Sequence, residues 1–470
     1  MPNYWLPTVN QKWDYDYYPR VVALGKDTEI TIRPTGCKTV FSKGNNYLVE
    51  ICATECGSKK DFPKQSSFVV KSAIPQEDGS LCFSYAFECE MEYFARVYRE
   101  EVKIENFIDC FPVYCVGGDL VGRYPFQGDT HMHTYYSDGK QSPEVVCSNY
   151  RKFGYDFIAI TDHRRYYPSL KAVSFGQEVP TEMCICPGEE VQLTDADGQH
   201  NDVHIINFGG DYSVNAMIEG VQTQEVGTDP KTRSSVGECP KTMTREEFAE
   251  LMRDLCSKAD YPEWMDIYPA VNCKWIFDQI RNADGLSIFA HPNWINNVYH
   301  VPERFVDYMV ENKWFDAFEV LGGETYFEQN GFQTLRYYND WARGYRYPIV
   351  GATDSHSSYE TNKSGFVANT IVFSPRNETK ALIKSIKEFY SVAVDTISKE
   401  YRIVGDPRLG RYASFLLRHY FPLHNELCRE EGMQMKIYAT GTEEEKAEAL
   451  KVLKTIYGRV DRQRRKYFGF

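Results

Sequence analysis

No stretch of the chain approaches the ~18 uninterrupted apolar residues that a membrane-spanning helix requires, so no membrane span is expected. The opening Met-Pro-Asn-Tyr-Trp-Leu-Pro lacks the basic-then-apolar pattern of a secretory leader, and a cytoplasmic location is the default expectation. Fourteen cysteines among 470 residues are too few for a disulfide scaffold, and none form a CxxC pair. Their closest spacing is Cys184-x-Cys186, and reduced, mostly buried thiols are expected. A basic excess is absent too: 53 Lys and Arg stand against 66 Asp and Glu, a formal charge of -13. Proteins that grip duplex nucleic acid through its phosphates need cationic surface, so duplex nucleic acid is not an expected partner. There is no glycine-rich phosphate loop, no GxSxG elbow, no internal repeat and no low-complexity tract.

What remains is an ordinary globular composition, 42% hydrophobic and 25% charged, which excludes wholesale disorder, collagen and coiled coil. At about 150 residues per domain the length suits two to four domains. Aromatics at 15%, including 34 tyrosines, read as cores and interfaces, with a sugar- or ring-binding surface as the lesser alternative. Oligomerisation is left open.

Residues 1–122 read as a β-sandwich-like domain. Short β-branched or alternating runs (Thr28–Ile32, Tyr47–Ile51, Ser67–Val70) are separated by turns such as Lys43-Gly44-Asn45-Asn46. Residues 123–400 alternate short buried strands with helices, the pattern of an α/β domain with parallel strands. One unit is explicit: Ser142 as N-cap, Pro143 in the first turn, Gly154 as terminator, then the apolar strand Phe157–Ile160. Further strands are expected at 203–208, 286–290, 317–320 and 348–350. A helical insertion at about 211–285, with a capping box opening at Thr244, would cover the mouth of this domain. Residues 401–470 read as a helical extension whose last helix starts at Thr442-Glu443-Glu444-Glu445. Its acidic start and basic end suit the helix dipole, and an anionic partner for the basic tail is the lesser reading.

Histidine is the informative residue. Only ten occur, and all but His419 and His424 fall between positions 131 and 356. His131 and His133 are two apart, so in an extended segment they share a face and can converge on one transition metal. Asp138 follows closely. The strand at 157–160 runs into Thr161-Asp162-His163, and Cys186-Pro187-Gly188-Glu189-Glu190 puts carboxylates at another strand's edge. His204 lies within an apolar run, His291 ends one, and Ile349-Val350-Gly351-Ala352-Thr353-Asp354-Ser355-His356 adds an Asp-x-His pair. In a barrel of parallel strands the C-terminal ends converge on the face where active sites are built. A lone strand-end histidine is more often a structural residue. Six imidazoles and at least three carboxylates aimed at one cavity need cations to hold them together.

Taken in order, His131-x-His133, Asp138, Thr161-Asp162-His163, Glu190, His204, His291 and Asp354-x-His356 resemble the motifs of the PHP (polymerase and histidinol phosphatase) superfamily of metal-dependent phosphoesterases. Gly128-Asp129-x-His131 and the preceding β-domain are most similar to the CehA/McbA-like branch, which includes carbamate hydrolases. The resemblance covers residues 128–356. It implies a distorted (β/α)7 barrel holding up to three divalent metals, manganese, iron or zinc, in a trinuclear site. It also implies that His131, His133, Glu190 and Asp354 hold the first metal. Glu190 would bridge to a second held by His204 and His291, and Asp138, His163 and His356 would hold the third. Glu190 is preferred to Glu189 because the family motif reads Gly-x-Glu. His204 is preferred to His200 on its strand context, leaving His200 at the rim to contact substrate or donate a proton. Asp129 and Asp162 are expected to orient ligand histidines. Arg164 or Arg165 either clamps a substrate phosphate or forms a surface ion pair. His300, His419 and His424 read as structural or solvated.

The function expected is a metal-dependent hydrolase of the PHP type, first a phosphoesterase acting on a small-molecule phosphate ester. Clustered divalent ions lower the pKa of water from 15.7 toward roughly 7 and neutralise phosphate oxygens. The first alternative keeps the metals and changes the bond to a carbamate, ester or amide. The second is a non-catalytic, metal-stabilised binding protein.

Overall fold

The computed structural model describes residues 14–36, 39–55, 68–219, 239, 241–322, 327–359, 368–396 and 402–470. The N-terminal heptapeptide, Ser67 and residues 220–238 and 240 of the expected insertion lie outside the described residues. The chain divides into two compact units, Met1–Tyr124 with Gly410–His424 and Gly458–Phe470, and Pro125–Leu409 with Asn425–Tyr457.

Among the described residues, eight strands build the first unit: β1 (Tyr15–Tyr18), β2 (Val21–Ala23), β3 (Asp27–Pro34), β4 (Tyr47–Ala53), β5 (Phe68–Pro75), β6 (Leu81–Ala86), β7 (Glu92–Arg99) and β8 (Phe107–Val116). They order as β1-β3-β6-β5-β4-β7-β8-β2. Residues 68–73 of β5 pair with β4, while Ile74 and Pro75 pair with β6, so one strand serves both halves of the sheet. Strand period two puts Ile30 and Ile32, Val49 and Ile51, Tyr93, Ala95 and Val97, Phe111 and Val113 into one apolar core.

The second unit begins with β9 (Tyr124–Asp129), α1 (Pro143–Lys152), β10 (Phe157–Ala159), α2 (Tyr167–Glu178) and β11 (Cys184–Cys186). It continues through β12 (Gly188–Val191), β13 (Ile205–Phe208), α3 (Arg245–Lys258), α4 (Ile267–Asn282), β14 (Leu286–Phe289), β15 (Ile295–Asn296), β16 (Val298–Tyr299) and α5 (Glu303–Glu311). After them come β17 (Ala317–Leu321), α6 (Phe327–Ala342), β18 (Ile349–Gly351), β19 (Ala368–Ser374), α7 (Thr379–Lys387), β20 (Ser391–Asp395) and β21 (Arg402–Val404). The last helices, α8 (Pro407–His419), α9 (Phe421–Thr440), α10 (Glu443–Ile456) and α11 (Arg459–Tyr467), are shared between the two units rather than forming a third.

The local signals behave as expected. Ser142 Oγ accepts from the Val145 N–H at the start of α1, and Gly154 follows the helix at φ 93°. Thr244 and Thr442 each form a complete capping box, with Glu247 and Glu445. The described part of the 211–285 segment is helical. Its α4, however, buries Ala270, Cys273, Ile276, Phe277 and Ile280 in the same core as β13 and β14. α4 thus belongs to the helical layer against the sheet.

The strands do not form one parallel ring. β9, β10 and β11 run parallel in a six-stranded sheet ordered β11-β10-β9-β19-β20-β21. β14, β17 and β18 run parallel in a five-stranded sheet ordered β12-β13-β14-β17-β18. Antiparallel pairs complete them: β13 against both β12 and β14, and β20 against both β19 and β21. Parallel bridges at Met132–Ser355 and His163–Glu190 tie one sheet to the other at a single end of the unit.

Candidate metal centre

That tied end is where the histidines are. His131 and His133 follow β9, His163 follows β10, His291 follows β14, and Asp354 and His356 follow β18. His204 immediately precedes β13. Because β13 is antiparallel, with Ile205 opposite both Val191 and Phe289, its beginning reaches the same end as the finish of β12 and β14. The backbone is stitched there. The Asp354 N–H donates to the His131 carbonyl (2.9 Å), His133 N–H to the Ser355 carbonyl (2.9 Å) and Arg164 N–H to the Glu190 carbonyl (2.9 Å).

All nine residues expected as ligands meet. The Asp354 carboxylate lies 3.1 Å from His131 Nε2 and 2.9 Å from His133 Nε2, and those two nitrogens are 3.3 Å apart. Glu190 is 2.7 Å from His163 Nδ1 through Oε2 and 2.5 Å from His204 Nδ1 through Oε1. The same Oε2 lies 3.5 Å from both His131 Nε2 and His133 Nε2. His291 Nε2 is 3.8 Å from Asp354, and its ring stacks at 5.4 Å on that of His131. Asp138 faces His356 at 3.2 Å, His163 at 3.5 Å and His133 at 3.8 Å. Three sets bring one atom each within 4.8 Å of one another: His133, Asp138, His163 and His356; His131, Glu190 and His291; His131, His133 and Asp354. His133 thus stands beside Asp138 as well as beside Asp354.

Burial makes this cluster unusual. His131, Glu190 and His291 are all buried, yet the Glu190 oxygens meet only imidazole nitrogens at the cluster and both His291 nitrogens have no hydrogen-bond partner. Buried polar groups are normally paired, so orphaned lone pairs aimed at one point fit a divalent cation. Glu189 supplies the contrast. It too is buried, but it accepts from Val214 N–H (2.6 Å), Ser213 Oγ (2.7 Å), Asn215 Nδ2 (2.8 Å) and Asn207 Nδ2 (3.0 Å). Its lone pairs are spent on the fold.

Charge follows the geometry. Burial opposes protonation of His131, but Asp354, Glu319 and Glu190 together hold its pKa well above the usual value. His163 is raised likewise, against burial, by Glu190 and Asp138. Burial would raise Asp354, yet His131, His133 and His291 depress it, and Asp138 is held down by His163 and His356. Burial pushes His291 down to about 3. The backbone is bent to serve the site: Arg164, His291 and Asp354 all have positive φ, 58°, 22° and 49°. Such conformations persist in non-glycine residues only where surroundings over-determine them. At Gly139 a Cβ would lie 2.5 Å from the His133 carbonyl oxygen, so only glycine lets the Asp138 loop fold back onto His133.

Asp129 and Asp162 hold backbone rather than imidazole. Asp129 accepts from the N–H groups of His131 and Thr353 and from Thr353 Oγ1. Asp162 accepts from Thr134 and Ser137, through N–H and hydroxyl of each. Arg164 Nε donates to Gln192 Oε1 (3.0 Å), and Gln192 Nε2 lies 3.3 Å from His204 Nε2, which puts this arginine beside the cluster. His200 does not join it. A turn held by Asp195 carries His200 outward, where its side chain is 53% exposed and faces Asp202 at 3.3 Å.

Two neighbours escaped the sequence reading. Glu319, buried in β17, accepts from His131 Nδ1 at 3.0 Å, which leaves Nε2 free to face Asp354. Burial pushes its carboxyl up to about 7 against the pull of His131. A Cβ at Gly322 would collide with that carboxylate. A charged residue flanked by Phe318 and Val320 in a strand buried at all five positions was the available signal. His300 reads as structural from sequence, yet its ring centroid lies 4.5 Å from that of His204.

No protein-family model matches the chain, and no curated protein matches it. Among solved structures it is similar to a two-domain Bacteroides vulgatus protein containing a "predicted PHP-like metal-dependent phosphoesterase". Identity is 14%, with 60% of this chain and 76% of that one covered and a TM-score of 0.36. It is also similar to an amidohydrolase from Chromobacterium violaceum, at 16% identity, covering 50% and 89% of the two chains with a TM-score of 0.30. Likeness at that level bears no weight alone, and the centre stands on its own geometry. The family that the order of motifs resembles is also the one named in the first of these structures, the PHP-like metal-dependent phosphoesterases.

Proposed function

We propose that this chain is a PHP-type metal-dependent hydrolase, and specifically a phosphoesterase acting on a small-molecule phosphate ester. One observation carries the reading: Glu190 and His291 are buried among five further imidazoles and two further carboxylates, and neither His291 nitrogen has a hydrogen-bond partner. An apolar or hydrogen-bonded interior would be more stable than this arrangement unless cations occupied it. When bound, divalent ions supply Lewis-acid charge that makes hydroxide available near neutral pH and neutralises phosphate oxygens.

The protein's own residues hold and orient. Glu190 spans two sub-clusters, with one oxygen toward His204 and the other toward His163. His131, His133, Glu190 and Asp354 form the first proposed metal site, His204 and His291 share Glu190 in the second, and Asp138, His163 and His356 form the third. His356 Nδ1 donates to the Asp354 carbonyl at 2.9 Å, which fixes the tautomer and leaves Nε2 toward Asp138. Arg164 is the proposed contact for a substrate phosphate oxygen, since its guanidinium lies beside the cluster through Gln192. Asp138 is the most open ligand, its side chain 52% exposed, which marks the side from which substrate enters.

The test is elemental analysis of the purified protein followed by assay of the manganese-loaded form on phosphate mono- and diesters, aryl carbamates and amides. Bound metal with turnover of a phosphate ester is expected. Turnover of carbamates or amides alone would overturn the phosphoesterase assignment, and a metal-replete protein inert on the whole panel would favour a binding role.

A further inference from the structure

Cys184 and Cys186 are the closest pair of cysteines in the sequence, and the metal centre makes no use of them. Both lie on β11, two residues apart, so their side chains leave the same face of the strand. Their sulfurs are 3.7 Å apart. Thr379, the first residue of α7, sits against both: its hydroxyl donates to Cys186 Sγ at 3.4 Å and lies 3.7 Å from Cys184 Sγ. Cys186 is buried, whereas Cys184 is partly exposed, so one thiol is reachable from solvent and the other lies behind it.

We propose that Cys184 and Cys186 are a reversible dithiol–disulfide pair, with Cys184 as the attacking sulfur and Cys186 as the resolving one, oxidised by small-molecule disulfides such as glutathione disulfide. The Cys184 thiolate attacks one sulfur of the oxidant, the oxidant's S–S bond breaks and one glutathione thiolate leaves. Cys186 then gives its proton to solvent, its thiolate attacks Cys184 Sγ, and the second glutathione departs. Two protein thiols lose two electrons and the oxidant becomes two thiols.

Three features support this order. The Cys186 thiol beside it holds the Cys184 pKa down, and Thr379 adds to that against burial. Burial pushes Cys186 well above its ordinary value, so the outer sulfur is the more readily deprotonated of the two. A Cys-x-Cys pair on an extended strand spans roughly 6.6 Å between Cα atoms, near the upper limit that a disulfide bridges, so the bond forms with strain and is readily reduced. Reversible redox pairs are drawn from such strained bonds rather than from relaxed structural ones.

The experiment is thiol mapping of the full-length protein equilibrated with glutathione and glutathione disulfide at graded ratios, then alkylated and digested with trypsin. Cleavage after Lys171 and Lys231 releases a peptide in which Cys184 and Cys186 are the only cysteines, so the assignment is unambiguous. The expected result is a peptide two hydrogens lighter and unalkylated, whose share rises with oxidant and vanishes with dithiothreitol. Cys186→Ser should instead trap a glutathione adduct on Cys184, and Cys184→Ser should show neither product. Two alkylated thiols at every ratio, or an adduct on Cys184 in the unsubstituted protein that never resolves, would overturn the proposal. The readout is a mass and is independent of metal content and of any hydrolytic activity.

Discussion

The two units bury their strands differently. In the first, β4 and β7 largely alternate, with Tyr47, Val49 and Ile51 or Tyr93, Ala95 and Val97 inward and their neighbours outward. In the second, β13, β14 and β17 are buried at every position. A strand covered on both faces has no solvent side on which to place a charge. Glu189, Glu190 and Glu319 are therefore charges carried inside, and each must find its partners within the protein. Glu189 and Glu190 show the two ways of doing so on adjacent residues of one strand. One is saturated by the fold's own donors and the other is surrounded by imidazoles.

The largest expected effect tests that division directly. Glu190→Gln should lower metal-loaded turnover by about three orders of magnitude, because the proposed metals would lose a charged oxygen of the carboxylate that faces both His163 and His204. Metal stoichiometry should fall with it, while circular dichroism stays unchanged. Next, Ile51→Ala in the first unit's core should cost about 2–5 kcal/mol in chemical denaturation. Metal content should not change, since the ligands all lie in the other unit. Glu189→Ala should behave like a core variant rather than a ligand variant. Asn207, Ser213 and Asn215 lose their acceptor, at about 1–3 kcal/mol for each group left unpaired, and the folded fraction should keep its metal. A Glu189→Ala protein that folds normally but binds no metal would exchange the roles assigned to the two glutamates.

Smaller effects sharpen the picture. Glu319→Gln should weaken metal affinity about 10–100-fold with little change in stability, because the His131 ring keeps its place but loses the carboxylate that orients it. The pH dependence follows from the charge pattern. Neighbouring carboxylates raise the pKa of His131 and of His163 and so favour their protonated forms, and a metal needs their lone pairs, so binding is expected to release protons. Affinity should rise with pH until the raised pKa values are passed. Calorimetry in two buffers of different ionisation enthalpy checks the sign, and uptake of protons on binding would contradict it.

Much of this was legible beforehand because the signals are local. Ser142, Thr244 and Thr442 announce helix starts through their own hydroxyls, and the first unit's strands show their inner face by alternation. Most of the nine ligand candidates stand at or beside an apolar run, and the order of motifs in the family resemblance added Asp138, which stands in a polar loop. Glu319 was missed because one carboxylate within a hydrophobic strand has no spacing partner, and His300 because it returns to the site only through the β15–β16 hairpin. The parallel ring was expected because buried strands alternating with helices read that way. That β13 runs antiparallel is a property of pairing, invisible in the strand's own four residues.

By itself the sequence determined which residues have the chemistry to bind cations, and where most helices and strands begin, because composition, capping and periodicity act within a few neighbours. Only the tertiary structure decided which lone pairs remain unpartnered. That depends on contacts between residues far apart in the chain, such as His131 with Asp354 or Glu189 with Asn215, and on burial that removes water as the alternative partner.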